Sequence, residues 1–209
     1  MKSKLQKFFI DGPAGKLEAV LAEPASEPFG IAVIAHPHPL FGGTMDNKIV
    51  HTLFTTFLEL GFISVKFNFR GVGESAGVHD EGVGEIADVV STTHFIQDHF
   101  TMQYGEQKLL LAGFSFGGAI QAHAAQQLKP QHLVLVAPSV ERLNAPAVID
   151  HAENILIIHG DQDDVVPLQS VLDWAAPQSQ PVVIVPSAEH FFHGRLADIK
   201  QVVMESFKD

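Results

Sequence analysis

Short apolar, β-branched runs alternate with longer segments of helical period along this chain. That rhythm restricts the fold more than any other property: it predicts an α/β architecture, a mostly parallel sheet with helices on both faces. Strands are expected over 31–35, 63–69, 108–112, 133–137, 155–158 and 182–185, mostly continuous apolar runs of the kind buried on both sides. Residues 16–22 alternate polar and apolar and predict a further strand. Helices are expected over 47–60, 82–100, 116–128, 168–174 and 196–207. In the second of these, Val83, Ile86, Val90, Thr93 and Ile96 recur at steps of three or four and predict its buried stripe. The chain has 209 residues, without an internal repeat or a linker-like stretch, so a single domain over 1–209 is expected.

Composition narrows the function. Hydrophobic residues make up 46% and charged residues 18%, enough apolar side chain for a sizeable core and too little charge for a disordered chain. With 24 acidic and 13 basic residues the formal charge is −11, which repels phosphate backbones and anionic lipid, so nucleic acid is not an expected partner. Cysteine is absent, which removes thiolate nucleophiles, disulfides and Cys-based metal sites; any nucleophile must carry oxygen or nitrogen. The first ten residues hold three lysines, but their only apolar run is Phe8-Phe9-Ile10, shorter than the ~7–15 residues of a signal-peptide core. Every other apolar stretch falls short of the ~20 residues that span a bilayer, and a cytoplasmic protein without membrane association is expected. A homo-oligomer is left open.

The strongest chemical signal follows the run 108–112, where Gly113-Phe114-Ser115-Phe116-Gly117 leads straight into a helical pattern. This is the G-x-S-x-G spacing of a nucleophile elbow, a sharp strand-to-helix turn that tolerates only small flanking residues and lifts the serine hydroxyl above the sheet. The following helix N-terminus offers backbone N–H groups to a developing oxyanion. A nucleophilic serine also needs a base and an orienting acid, in chain order Ser, Asp or Glu, His. Both follow: His159-Gly160-Asp161-Gln162-Asp163-Asp164-Val165-Val166-Pro167 comes after one strand, and Ser187-Ala188-Glu189-His190-Phe191-Phe192-His193 after the next. Both loops belong at the carboxyl edge of the sheet, where ligands of open α/β sheets bind.

Two further blocks stand after early strands: His36-Pro37-His38-Pro39-Leu40-Phe41-Gly42-Gly43 and Asn68-Phe69-Arg70-Gly71-Val72-Gly73-Glu74-Ser75. With these five ordered blocks the chain resembles the α/β-hydrolases, and specifically the small lidless serine hydrolases related to dienelactone hydrolases and short-chain carboxylesterases. The resemblance implies an α/β-hydrolase fold without a sizeable lid, no cofactor, and hydrolysis of a small-molecule carboxylic ester, thioester or related acyl compound through an acyl-enzyme. It implies Ser115 as nucleophile, His190 as base and Asp163 as the orienting acid. The family pattern His-Gly-x-x-Asp-x-x-Val-Pro selects Asp163 over Asp164, with Asp161 as a turn residue, and the following Phe-Phe selects His190 over His193. The oxyanion hole is expected to use the backbone N–H of Phe116 and a second from the 36–43 loop. Pro37 and Pro39 have none to give. The family parallel favours Leu40, with His38 as the alternative. Phe41, Phe191 and Trp174 are candidate walls of a substrate pocket.

Rival readings fare less well. Gly71-Val72-Gly73-Glu74-Ser75-Ala76 imitates a dinucleotide fingerprint but lacks the second strand and terminal acid that the fold requires. Twelve histidines and the pair His36 and His38 suggest a metal-dependent hydrolase, yet no third ligand stands at a metal-site spacing, and no metal is expected. A non-catalytic binding protein on the same fold is the remaining alternative, weakened by the presence of every triad residue type.

Overall fold

The computed structural model describes residues 5–208; the extreme ends of the expected 1–209 span lie outside them. Eight strands form one sheet in the order β1-β2-β4-β3-β5-β6-β7-β8. They are β1 (Gln6–Gly12), β2 (Gly15–Ala22), β3 (Gly30–Ala35), β4 (Phe62–Phe67), β5 (Lys108–Phe114), β6 (His132–Val136), β7 (Asn154–Gly160) and β8 (Val182–Val185). β1 and β2 form an antiparallel hairpin, β2 pairs antiparallel with β4, and every pairing from β4 to β8 is parallel.

Five helices cover the sheet: α1 (Lys48–Glu59), α2 (Val83–Tyr104), α3 (Phe116–Leu128), α4 (Leu168–Ala175) and α5 (Leu196–Ser206). Successive strand residues point to opposite faces, and the two cores divide accordingly. Val33, Leu111 and Leu135 face Val89 and Ile96 of α2, Ile120 of α3 and Val171 of α4. Ile34, Leu110 and Val134 face Leu53 and Phe57 of α1 and Ile199 of α5.

Three differences from expectation have physical causes. β1 was not expected, because its one fully buried side chain is Ile10; the strand is held by its hairpin and by Phe8 stacking on Phe95 at 6.1 Å. β4 ends at Phe67 rather than Phe69: the Asn68 Oδ1 accepts the Met45 amide and the Phe69 amide donates to His36 Nε2. In α2 the expected stripe holds at Thr93 and Ile96, which are buried, and at Ile86 and Val90, which pack half-buried on the core, but Val83 is 73% exposed and the buried face extends to Glu85, Asp88, Val89 and Thr92.

Strand order reverses between β3 and β5, since the chain progresses one way to β4 and the other way through β6 to β8. The loops leaving β3 and β5 therefore diverge and open a crevice, the place where α/β sheets bind ligands.

Candidate active site

At the carboxyl end of β5 the backbone turns sharply into α3 at Ser115, whose φ of 55° and ψ of −117° lie in strained territory for a residue with a side chain. Gly117 makes the turn feasible: a Cβ there would come within 2.5 Å of the Ala35 and His36 carbonyl oxygens. Gly113 is constrained in the same way, with Gly117 backbone atoms 2.4 Å from where its Cβ would stand. The Ser115 amide donates to the Val136 carbonyl, anchoring the elbow to β6.

Ser115 Oγ lies 3.0 Å from His190 Nε2, and His190 Nδ1 lies 2.7 Å from Asp163 Oδ2. Nδ1–H donates to the carboxylate, which leaves Nε2 to accept from the serine hydroxyl. The Asp163 side chain is fully buried, and its other oxygen accepts the Val165 and Val166 amides at 2.9 and 2.7 Å. Burial alone would raise its pKa; the His190 hydrogen bond and the two amides outweigh burial and hold the carboxyl below its ordinary value. His190 is 2% exposed and packed between Phe114 and Phe191.

The alternatives take other places. Asp161 accepts the Ser187 amide at 2.6 Å and so ties its loop to the one that bears His190. The Asp164 carboxylate has no hydrogen-bond or salt-bridge partner among the described residues. His193 is 72% exposed and pairs with Glu189.

The expected oxyanion donor Leu40 is corrected. Residues Pro39–Phe41 form a 3₁₀ turn in which the Leu40 amide donates to His38 Nδ1 at 3.2 Å. The Phe41 and Gly43 amides go to the His38 carbonyl, and that of Gly42 to Pro39. Among the described residues no acceptor meets the backbone N–H of His38 or Phe116. His38 lines the crevice together with Ser115, so the alternative weighed for this loop is the one with a free amide.

Phe41 and Phe191 stand at the rim, 74% and 46% exposed. Trp174 does not reach Ser115. It lines a neighbouring depression with Asp173 and Pro167, and its indole N–H donates to the Ala145 carbonyl.

His36 is fully buried with both ring nitrogens engaged. Nδ1–H donates to the Pro37 carbonyl at 2.6 Å and Nε2 accepts the Phe69 amide at 3.1 Å, so neither is left to ligate a metal. Desolvation, only partly offset by the Pro37 bond, lowers its pKa to about 4. Among the described residues no three His, Asp or Glu side chains gather as a metal site.

Sequence reasoning missed two neighbours of the site. Ser139, just past β6, has its Oγ 3.2 Å from Ser115 Oγ, and its amide donates to the Ser115 carbonyl. With the Ser115 proton turned toward His190, the Ser139 hydroxyl is the donor of this pair. His159, fully buried at the end of β7, lies 2.9 Å from the Val166 carbonyl and 3.5 Å from Asp163 Oδ2. Each stands at the carboxyl end of a strand, the one sequence signal that could have found it.

Comparison with known proteins agrees with this architecture. Residues 40–156 match the family model described as serine aminopeptidase, S33. An α/β serine hydrolase homologue from Coxiella burnetii is 40% identical, with 97% of each chain covered and a TM-score of 0.88. An α/β serine hydrolase without lid from Xanthomonas campestris is 33% identical over 99% of this chain and 94% of that one, with a TM-score of 0.84. A putative α/β hydrolase of unknown function from Agrobacterium tumefaciens is 31% identical over 96% of this chain and 94% of that one, at 0.85. The fold and these matches define an α/β-hydrolase. The chain belongs to the α/β serine hydrolase family, and it is a hydrolase.

Proposed function

We propose that this hydrolase cleaves carboxylic esters, thioesters or related acyl compounds through an acyl-enzyme, with Ser115, His190 and Asp163 as its triad. The observation that carries the reading is the unbroken hydrogen-bonded line from Ser115 Oγ through His190 to a buried Asp163. Ser115 Oγ bonds to the carbonyl carbon while His190 Nε2 takes the hydroxyl proton. Asp163 holds the resulting imidazolium, and the backbone N–H groups of Phe116 and His38 receive the oxyanion. When the tetrahedral intermediate collapses, the carbon–oxygen or carbon–sulfur bond breaks and His190 gives its proton to the leaving group. Water then gives a proton to His190 as its oxygen bonds to the acyl carbon; the acid departs, and Ser115 regains its proton.

Labelling by a fluorophosphonate probe, together with turnover of chromogenic esters of graded chain length, tests this. Wild type is expected to label and to hydrolyse, with both signals lost in Ser115→Ala and unchanged by a strong chelator. Wild-type turnover in Ser115→Ala would overturn the proposal, and loss of activity on chelation with recovery on added zinc would replace it with a metal mechanism.

A further inference from the structure

The crevice at Ser115 has two lobes. The larger, about 430 Å³, is walled by Phe41, Val165, Phe191, His190 and Arg142. The smaller, about 160 Å³, adds Ser139, Glu141, Val166 and Pro167, shares Phe41, Val165 and Arg142 with the larger, and excludes His190. If His190 protonates the leaving oxygen, as proposed above, the alcohol half of the substrate occupies the larger lobe and the acyl half the smaller.

Among the described residues Arg142 is the only Lys, Arg, Asp or Glu side chain that lines the larger lobe. Arg142 borders the smaller lobe as well, but there Glu141 stands beside it, so the larger lobe is where a carboxylate meets the cation without an opposing acid among the described residues. Of the three arginines in the chain, Arg70 is paired with Asp88 and Arg195 with Asp198. Arg142 has no carboxylate partner and no hydrogen-bond acceptor among the described residues, although acidic residues outnumber basic ones 24 to 13. Its guanidinium is 5.3 Å from the Phe41 ring centroid, a cation–π contact that holds the charge over the lobe. The charge is felt further in: the His38 pKa is lowered by burial first and by Arg142 second. One exposed, unneutralised cation at the edge of a lobe without an opposing carboxylate suits one negative charge, and the planar guanidinium fork takes a carboxylate through two parallel hydrogen bonds.

We propose that Arg142 is a carboxylate-binding subsite and that the substrate is an ester of a hydroxy acid, with the carboxylate on the alcohol side. This rests on the serine-hydrolase reading above.

The test is the ratio of kcat/KM for 3-carboxyphenyl acetate to that for 3-carbamoylphenyl acetate, in wild type, Arg142→Gln and Arg142→Lys. Wild type is expected to favour the carboxylate ester at least about tenfold, chiefly through KM, with the preference shrinking as salt is raised. Arg142→Gln should bring the ratio near one and Arg142→Lys should keep part of it. A wild-type ratio near one, or a ratio that Arg142→Gln leaves unchanged, overturns the subsite, including the case in which both esters slow together. Fluorophosphonate labelling of each variant separates the two readings. A protein that labels at Ser115 and hydrolyses the carbamoyl ester without discrimination loses only the subsite, whereas one that neither labels nor hydrolyses loses the serine-hydrolase reading.

Discussion

Asp163 divides its two oxygens between two tasks. One binds the amides of its own loop and the other holds the imidazole of His190. An amide substitution keeps the shape but removes the charge that would stabilise an imidazolium and fix its tautomer. Asp163→Asn is therefore expected to lose on the order of 10⁴ in turnover, as loss of the triad carboxylate does elsewhere, while Asp164→Asn stays near wild type. Ester hydrolysis by the two variants at one pH measures this, and equal losses would return the acid to either aspartate. Ser115 and the loops bearing Asp163 and His190 were legible in the sequence because their spacing is local and follows strand ends. The free amide of the 36–43 loop was not. Which amide of the 36–43 loop is free depends on a 3₁₀ turn closed by the His38 side chain, a contact that residue types alone do not announce.

At the scale of elements, α2 shows why hydrophobic periodicity traced only part of its buried face. That face carries Glu85 and Asp88, whose partners precede the helix: Asp88 accepts from the Arg70 backbone and guanidinium, 18 residues back, and Glu85 from the Asp80 and Gly82 amides of the turn just before it. A pattern of apolar residues cannot register a carboxylate made burial-tolerant by an arginine 18 positions earlier. Breaking such a buried pair costs about 3–5 kcal/mol, so Asp88→Asn should lower the denaturation midpoint sharply. Lys200→Gln, which removes the exposed pair with Glu59, should cost less than about 1 kcal/mol. Denaturant titration of both variants checks the contrast. The elbow is an element-level device of the same kind. In Gly117→Ala the new methyl meets backbone carbonyls rather than a side chain that can yield, so a loss of about 1–3 kcal/mol is expected in thermal melts. β1 escaped the sequence reading for the converse reason. An edge strand with one buried side chain carries little pattern, and pairing with β2 makes it a strand.

For the molecule as a whole, the buried histidines set the response to acid. With its pKa at about 4, folded His36 stays neutral while the unfolded chain takes up a proton near 6.5. Between those values the unfolded state binds more protons, so stability falls as pH drops from 6.5 toward 4, by about 3 kcal/mol from this group alone. His159, lowered by its own burial, acts in the same direction. Below the ordinary carboxylate range Asp163 adds to the loss, because its stabilising hydrogen bonds need the charged form. Denaturant midpoints between pH 4 and 7 should show this slope, and NMR titration of the His36 ring should find it uncharged at pH 5. A flat profile with an ordinary His36 titration would contradict the account. The strand order also bears on how the protein comes into being. β5 lies against β3, which precedes it in the chain, but Ser115 stands 75 residues ahead of His190. During synthesis the serine thus leaves the ribosome well before its proposed base exists, and a chain halted after α3 carries an elbow with no imidazole to activate it. On the proposed mechanism, reactivity toward acyl compounds arrives only with the loop that bears His190, the last to join two elements of the sheet and its helices.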